Sequence, residues 1–201
     1  MPKDKIEGAI ARGQGKSSEG LALESMTFEV VMPPSIAVII DIETESKLRA
    51  LQDLNQMVKK AKGSVGSSRF FFSRLGRVVF EKGESGLDVD QVMDDAIEAG
   101  AEDLENDPDG NIVVWTQPTG TMQVCKALGD KFGLKILSSD IIWAANEDTK
   151  AKLDASEEHV AFSELLEGLR ELPDIQAVYS NVTRGEMSDE EWARIEDNLD
   201  T

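Results

Sequence analysis

The chain of 201 residues carries 39 acidic against 21 basic side chains, a formal net charge of −18. With 40% hydrophobic and 30% charged residues it has the composition of a folded globular protein, and no apolar run approaches the ~20 residues of a bilayer-spanning helix. The lone cysteine, Cys125, excludes an internal disulfide and a cysteine-based zinc set, and the overall acidity argues against nucleic-acid binding by net charge alone.

The charge is uneven. Residues 45–80 hold 8 basic and 2 acidic side chains, whereas residues 81–110 hold 1 and 12. A chain so divided can present a basic surface to a polyanion while its acidic surfaces point away.

In chain order, Pro2 to Gly13 reads as a short helix with Ile6, Ala9 and Ile10 inward. Thr27–Met32 reads as a strand stopped by Pro33-Pro34, and Ser35–Thr44 as a second with Ile36, Val38, Ile40 and Ile42 on one face. A helix follows from about Ser46 to Lys62, with Leu48, Leu51, Leu54, Val58 and Ala61 at helical spacing and Gly63 at its end. Lys59, Lys60 and Lys62 crowd its last turn, where the helix dipole favours cations.

The loop Gly63 to Ser68 lacks the order of a phosphate-cradling loop, which follows a strand and opens a helix. Arg69–Ser73 and Arg77–Lys82 then read as a hairpin turning at Leu75-Gly76, with Phe70 and Phe72 sharing a face and expected in the core. Asp88–Gly100 reads as a helix with Val89, Val92, Met93, Ala96 and Ile97 inward. Glu102–Asn106 and Ile112–Thr116 flank the turn Asp107-Pro-Asp-Gly110, a hairpin signal. Read as a calcium loop from Glu105, that turn fails at its twelfth position, Thr116.

A helix over Thr119–Phe132, with Met122, Cys125, Leu128 and Phe132 inward, leads to a strand at Lys135–Ala144. Ser156–Leu172 is a helix whose stripe is Phe162, Leu165, Leu169 and Leu172. Pro173 ends it, and Ile175–Thr183 is a strand. Ser188-Asp-Glu-Glu191 is a capping box opening a polar, loosely attached tail helix. The single histidine, His159, is expected on a solvated helix surface and Cys125 in the core. No nucleophile motif, metal set or cofactor fingerprint stands in the sequence.

Residues 35–82 thus give β-α-β-β and residues 157–183 supply α-β. The expected fold class is α+β: a ferredoxin-like β-α-β-β-α-β domain with an inserted second α/β domain, preceded by the remnant of an N-terminal helical domain. The expected boundaries are 1–25 for that helical remnant, 26–86 with 156–185 for the ferredoxin-like domain, 87–146 for the insertion and 186–201 for the tail.

Four stretches in this order resemble the YebC/PmpR family. They are Pro2 to Glu7 with Ala9, Ile10 and Gly13; Gly63 through Val79; Ala96-Ile-Glu-Ala-Gly-Ala-Glu-Asp103 with the Asp109-Gly110 turn; and Asp174-Ile-Gln-Ala-Val-Tyr-Ser-Asn181. The family's usual Lys/Arg-rich helical opening is not present before the first of them. Within the family the departures at Met32 to Ser35 and Glu43 to Arg49 resemble its mitochondrial members, which activate translation of cytochrome c oxidase subunit I. The resemblance implies a non-enzymatic mitochondrial protein whose partners are the mitochondrial ribosome, ribosomal RNA or messenger RNA, with no membrane span, cofactor or small-molecule substrate. The alternatives are a DNA-binding transcriptional regulator, as bacterial members are described, and a purely protein-interacting module using its acidic insertion. The candidate nucleic-acid contacts are Lys59, Lys60, Lys62, Arg69, Arg74 and Arg77, with Lys3, Lys5 and Arg12 as additions.

Overall fold

The computed structural model describes residues 22–82 and 88–200. The expected N-terminal helix, with Lys3, Lys5 and Arg12, lies outside them. In chain order the chain forms β1 (Glu24–Met32), β2 (Ile36–Thr44), α1 (Lys47–Lys60), β3 (Ser64–Val65), a single 3-10 turn (Arg69–Phe71) and β4 (Phe72–Phe80). It continues with α2 (Val89–Glu98), β5 (Ala101–Asn106), β6 (Ile112–Thr116), α3 (Thr121–Phe132), β7 (Ile136–Ala145) and β8 (Ala151–Leu153). Then come α4 (Glu157–Arg170), β9 (Ile175–Ser180), β10 (Val182–Arg184) and α5 (Asp189–Glu196).

These elements make two units. The outer one runs to Phe72 and resumes at Ala145; the inner one is Ser73–Ala144. Residues 73–82, expected in the outer unit, belong to the inner one, because β4 pairs there with β6.

In the outer unit β1 and β2 form an antiparallel hairpin with Met32 opposite Ile36. The sheet order is β3-β1-β2-β9. Even-numbered side chains of the hairpin (Phe28, Val30, Met32, Ile36, Val38, Ile40, Ile42) enter a core closed by Leu54 and Val58 of α1, Phe162, Leu166 and Leu169 of α4, and Ile195 of α5. Period-2 strand faces meeting period-3.6 helix stripes make this possible. The outer unit therefore runs β-β-α-β, then β-α-β-β-α after the insertion, and not the ferredoxin-like order expected of it. The reason is that Thr27–Met32 is a full partner of β2 and that the hairpin expected at 69–82 does not exist.

That hairpin fails because Gly76 is not a turn glycine. It lies inside β4, where a Cβ would stand 2.0 Å from Thr121 Oγ1 and 2.5 Å from Thr116 Oγ1. Close approach of α3 to the sheet, and not chain reversal, calls for glycine there. The inner unit then follows the element order β4-α2-β5-β6-α3-β7, with strands arranged β5-β6-β4-β7. Its core contains Val78, Phe80, Val92, Ala96, Ile112, Val114, Val124 and Leu128. The Asp107–Gly110 turn forms as expected, with Asn106 opposite Ile112 and Gly110 at φ 82°. Three side chains expected inward here, Met93, Ile97 and Met122, are exposed instead. The helices bury narrower stripes than the sequence suggested: Val89, Val92 and Ala96 on α2, and Val124, Cys125 and Leu128 on α3.

The tail is not loosely attached. Ile195 is fully buried, Val178 donates its N–H to Asp200 Oδ2 at 2.7 Å, and Asp200 returns its own N–H to the Val178 carbonyl at 2.8 Å. Those two bonds occupy backbone groups of β9, an edge strand that would otherwise stay open.

Candidate nucleic-acid interface

Lys59 and Lys60 are exposed on the last turn of α1, and among the described residues neither enters an ion pair. The helix ends at Lys60, two residues before the expected Lys62. Gly63 donates to the Val58 carbonyl and Lys62 to that of Lys59, which is a Schellman closure with Lys62 as its left-handed residue, φ 61°. Gly63 is there for packing, since a Cβ would meet Met32 Cγ at 2.9 Å. The Lys62 ammonium lies 3.5 Å from Glu157 Oε2, both side chains being well exposed, so the pair is weak. The neighbouring Glu158 carboxyl is held below its usual range by its own backbone N–H, then by the Ser156 hydroxyl, and last by the Lys62 charge.

Arg69 lies elsewhere. Its Nε is 2.9 Å from Glu29 Oε1, and the other carboxylate oxygen accepts the N–H groups of Ser68 (2.8 Å) and Arg69 (3.2 Å). Glu29 is an odd-numbered residue of β1, pointing to the sheet face opposite α1 and α4. Lys59, Lys60 and Lys62 are thus in the helix layer, and Arg69 is on the far side of the same sheet. The 3-10 turn that carries Arg69 is fixed from behind: Asn146 N–H donates to the Phe71 carbonyl at 2.9 Å, Thr149 Oγ1 to the same carbonyl at 2.9 Å, and Asn146 Nδ2 to that of Phe70 at 3.2 Å. Phe70, expected in the core beside Phe72, is 66% exposed with its ring centroid 4.2 Å from that of Phe71, while Phe72 is buried.

Arg74 and Arg77 belong to the inner unit, on opposite faces of β4. The Arg74 guanidinium stands 5.3 Å from the centroid of Trp143, and that of Arg77 5.9 Å from Trp115, whose Nε1 donates to Glu105 at 2.9 Å. Each pair is a cation–π contact. Within the outer unit the three lysines and Arg69 lie on opposite sides of the sheet and do not share a face; Arg74 and Arg77 stand in the inner unit, each beside a tryptophan.

Sequence reasoning missed Phe70, Trp115 and Trp143 as surface groups. Reading 69–82 as a hairpin put Phe70 and Phe72 on one buried face. The tryptophans carry no local signal, because each is defined by an arginine on another strand. His159 was also misplaced: it is 7% exposed, aligned with Phe162, Leu166 and Leu169 on the buried stripe of α4. It lies near enough to Glu191 of α5 to help lower that carboxyl's pKa, after the backbone N–H and hydroxyl of Ser188. Cys125 is buried as expected, its thiol 3.5 Å from Ser139 Oγ. Among the described residues, no three His, Cys, Asp or Glu side chains could hold a metal ion, and no helix is long and apolar enough to cross a membrane.

A family model for the second and third domain of TACO1/YebC proteins matches residues 23–182. The chain belongs to the TACO1/YebC family. A probable transcriptional regulatory protein of Nitrosococcus oceani is 37% identical over 184 residues, covering 90% of this chain and 71% of that protein. A protein of the same description from Xanthomonas oryzae pv. oryzae is 38% identical over 186 residues, covering 90% and 74%. Among solved structures, a conserved hypothetical protein from Aquifex aeolicus superposes with a TM-score of 0.70 at 27% identity, covering 93% of this chain and 75% of that one. TACO1/YebC proteins are regulatory and non-enzymatic, and this chain shares that class and the mixed α+β fold of its structural relative. These relatives are bacterial and named as transcriptional regulators, so they do not support the narrower resemblance to mitochondrial translational activators, nor a mitochondrial location.

Proposed function

We propose that this TACO1/YebC chain is a nucleic-acid-binding regulator of transcription, the role its relatives' names give to them. The observation that carries the binding surface is Lys62. An L-residue in the left-handed region costs about 1–3 kcal/mol and persists where its side chain is needed. A glycine at that position would close the helix as well. Lysine there adds a third cation to Lys59 and Lys60, so the tip of α1 can neutralise phosphates whatever the sequence.

A second reading, regulation of translation through RNA, is favoured by one observation. The exposed Phe70 ring suits an unpaired base, which stacks on an aromatic plane. Partners would then be ribosomal or messenger RNA. The β-α-β-β-α-β order of the inner unit also supports reading it as the ferredoxin-like module.

Affinity for a DNA duplex and for a folded RNA, measured at two salt concentrations, tests both readings. Replacing Lys59, Lys60 and Lys62 by Glu should weaken either complex and flatten the salt dependence by up to about three phosphate contacts. Equal binding by wild type and variant removes the lysine tip from the interface. Preference for RNA, lost on Phe70→Ala, selects the second reading. Lys62→Gly should bind more weakly while gaining about 1 kcal/mol in denaturant unfolding.

A further inference from the structure

The two edges of the inner sheet differ. At one edge β5 is six residues long, exposes Glu102, Asp103 and Glu105, and has a register irregularity between Ala101 and Asp103. Short length, charge and irregular register are the devices by which natural edges avoid pairing with other chains. At the other edge β7 is ten residues long, and among the described residues β4 is its only sheet neighbour. It exposes Ile136 (42%), Leu137 (46%) and Ile141 (44%), with Ser139 and Asp140 between them. Lys135, just before it, is paired with Glu81 at 3.1 Å. Among the described residues of this strand Asp140 is the only charge.

We propose that the free edge of β7 takes an extended, basic segment of a partner protein as an added strand. Strand addition gains affinity from main-chain hydrogen bonds, and alternate side-chain positions give selectivity. Ile136 and Asp140 point to one face of the strand, Leu137 and Ile141 to the other, so an incoming strand meets apolar groups on both faces and a carboxylate on one. Charge selects the occupant. Residues 73–144 carry 6 basic and 14 acidic side chains, and the whole chain −18, so a segment rich in Lys and Arg is drawn in. The same field opposes a second copy of this chain. Pairing of β7 with its own copy in antiparallel register would also bring two Asp140 carboxylates close together.

The inference stands apart from the nucleic-acid reading and has its own test. The probe is a fluorescein-labelled 12-residue peptide of alternating Val and Lys, with an otherwise identical peptide bearing Glu in place of Lys. With the full chain, the Lys peptide should bind and slow amide exchange at residues 136–141 at least tenfold, and the Glu peptide should not bind. A Leu137→Lys/Ile141→Lys variant should weaken binding at least tenfold, whereas Glu102→Ala on the far edge should leave it unchanged. The exchange footprint on the unaltered chain needs no variant. Binding of both peptides alike, protection over 101–106 in place of 136–141, absence of binding, or dimerisation through β7 in sedimentation would each overturn the proposal.

Discussion

Asn181 shows what one side chain can fix. It is fully buried, its Oδ1 accepts the Ala37 N–H at 2.8 Å, and its Nδ2 donates to the carbonyls of Thr149 (2.7 Å) and Ser35 (3.2 Å). Its own carbonyl accepts the Ala151 N–H at 2.8 Å. One amide thus joins the start of β2, the segment before β8 and the end of β9. Asn181→Ala removes a partner from the buried Ala37 N–H and from the partly buried carbonyls of Thr149 and Ser35, and should cost about 2 kcal/mol, read as a lower midpoint in urea. Glu191 acts through pH. Its carboxyl is held below the ordinary 4.5, first by the Ser188 N–H, then by the Ser188 hydroxyl. A carboxyl whose folded pKa is lowered stabilises the fold above its unfolded value, and loses that contribution as pH falls through the lowered one. Glu191→Gln keeps the capping box without the charge. Its midpoint should lie below wild type at pH 7 and approach it as the pH falls through the lowered pKa of the folded state.

Elements were legible to different degrees. The β2 face, the α1 stripe from Leu51 to Ala61 and the Asp107–Gly110 hairpin followed directly from period and turn chemistry, because each depends on residues near one another in sequence, whereas Leu48, expected on that stripe, is exposed at the start of the helix. β4 was not legible. Gly76 carries the same signal whether it turns a chain or admits a helix, and only Thr116 and Thr121, 40 and 45 residues on, distinguish the two. The surroundings of the candidate arginines were illegible for the same reason: Arg69 meets Glu29, Arg74 meets Trp143 and Arg77 meets Trp115, each remote in sequence. Gly76→Ala should therefore destabilise the inner unit by about 2 kcal/mol through overpacking. Combining it with Thr121→Ala, which removes the nearer oxygen, should recover part of the loss. A double-mutant cycle with no coupling would mean that the close approach is not what selects glycine.

At the scale of the whole molecule, the inner unit is continuous in sequence and the outer one is not. The core of the inner unit is contributed entirely by residues between 78 and 134. Residues 73–144 expressed alone should unfold cooperatively in calorimetry with one transition. The outer unit should tolerate replacement of 73–144 by a short Gly/Ser loop, because the Asn146 N–H and the Phe71 carbonyl are already hydrogen-bonded at 2.9 Å, so the cut ends stand side by side. Loss of far-ultraviolet structure in either product would mean that the two units depend on each other for folding.

The closing contacts of Ile195 and Asp200 on the outer core carry a consequence for the order of synthesis. A ribosome releases residues 73–144 well before α4, β9 and α5, so the inner unit can be complete while the β1–β2 hairpin still waits for more than half of its cover. During that interval the apolar face of Ile36, Val38, Ile40 and Ile42 has only α1 to lie against, and the nascent chain is then most exposed to chaperones and to mispairing.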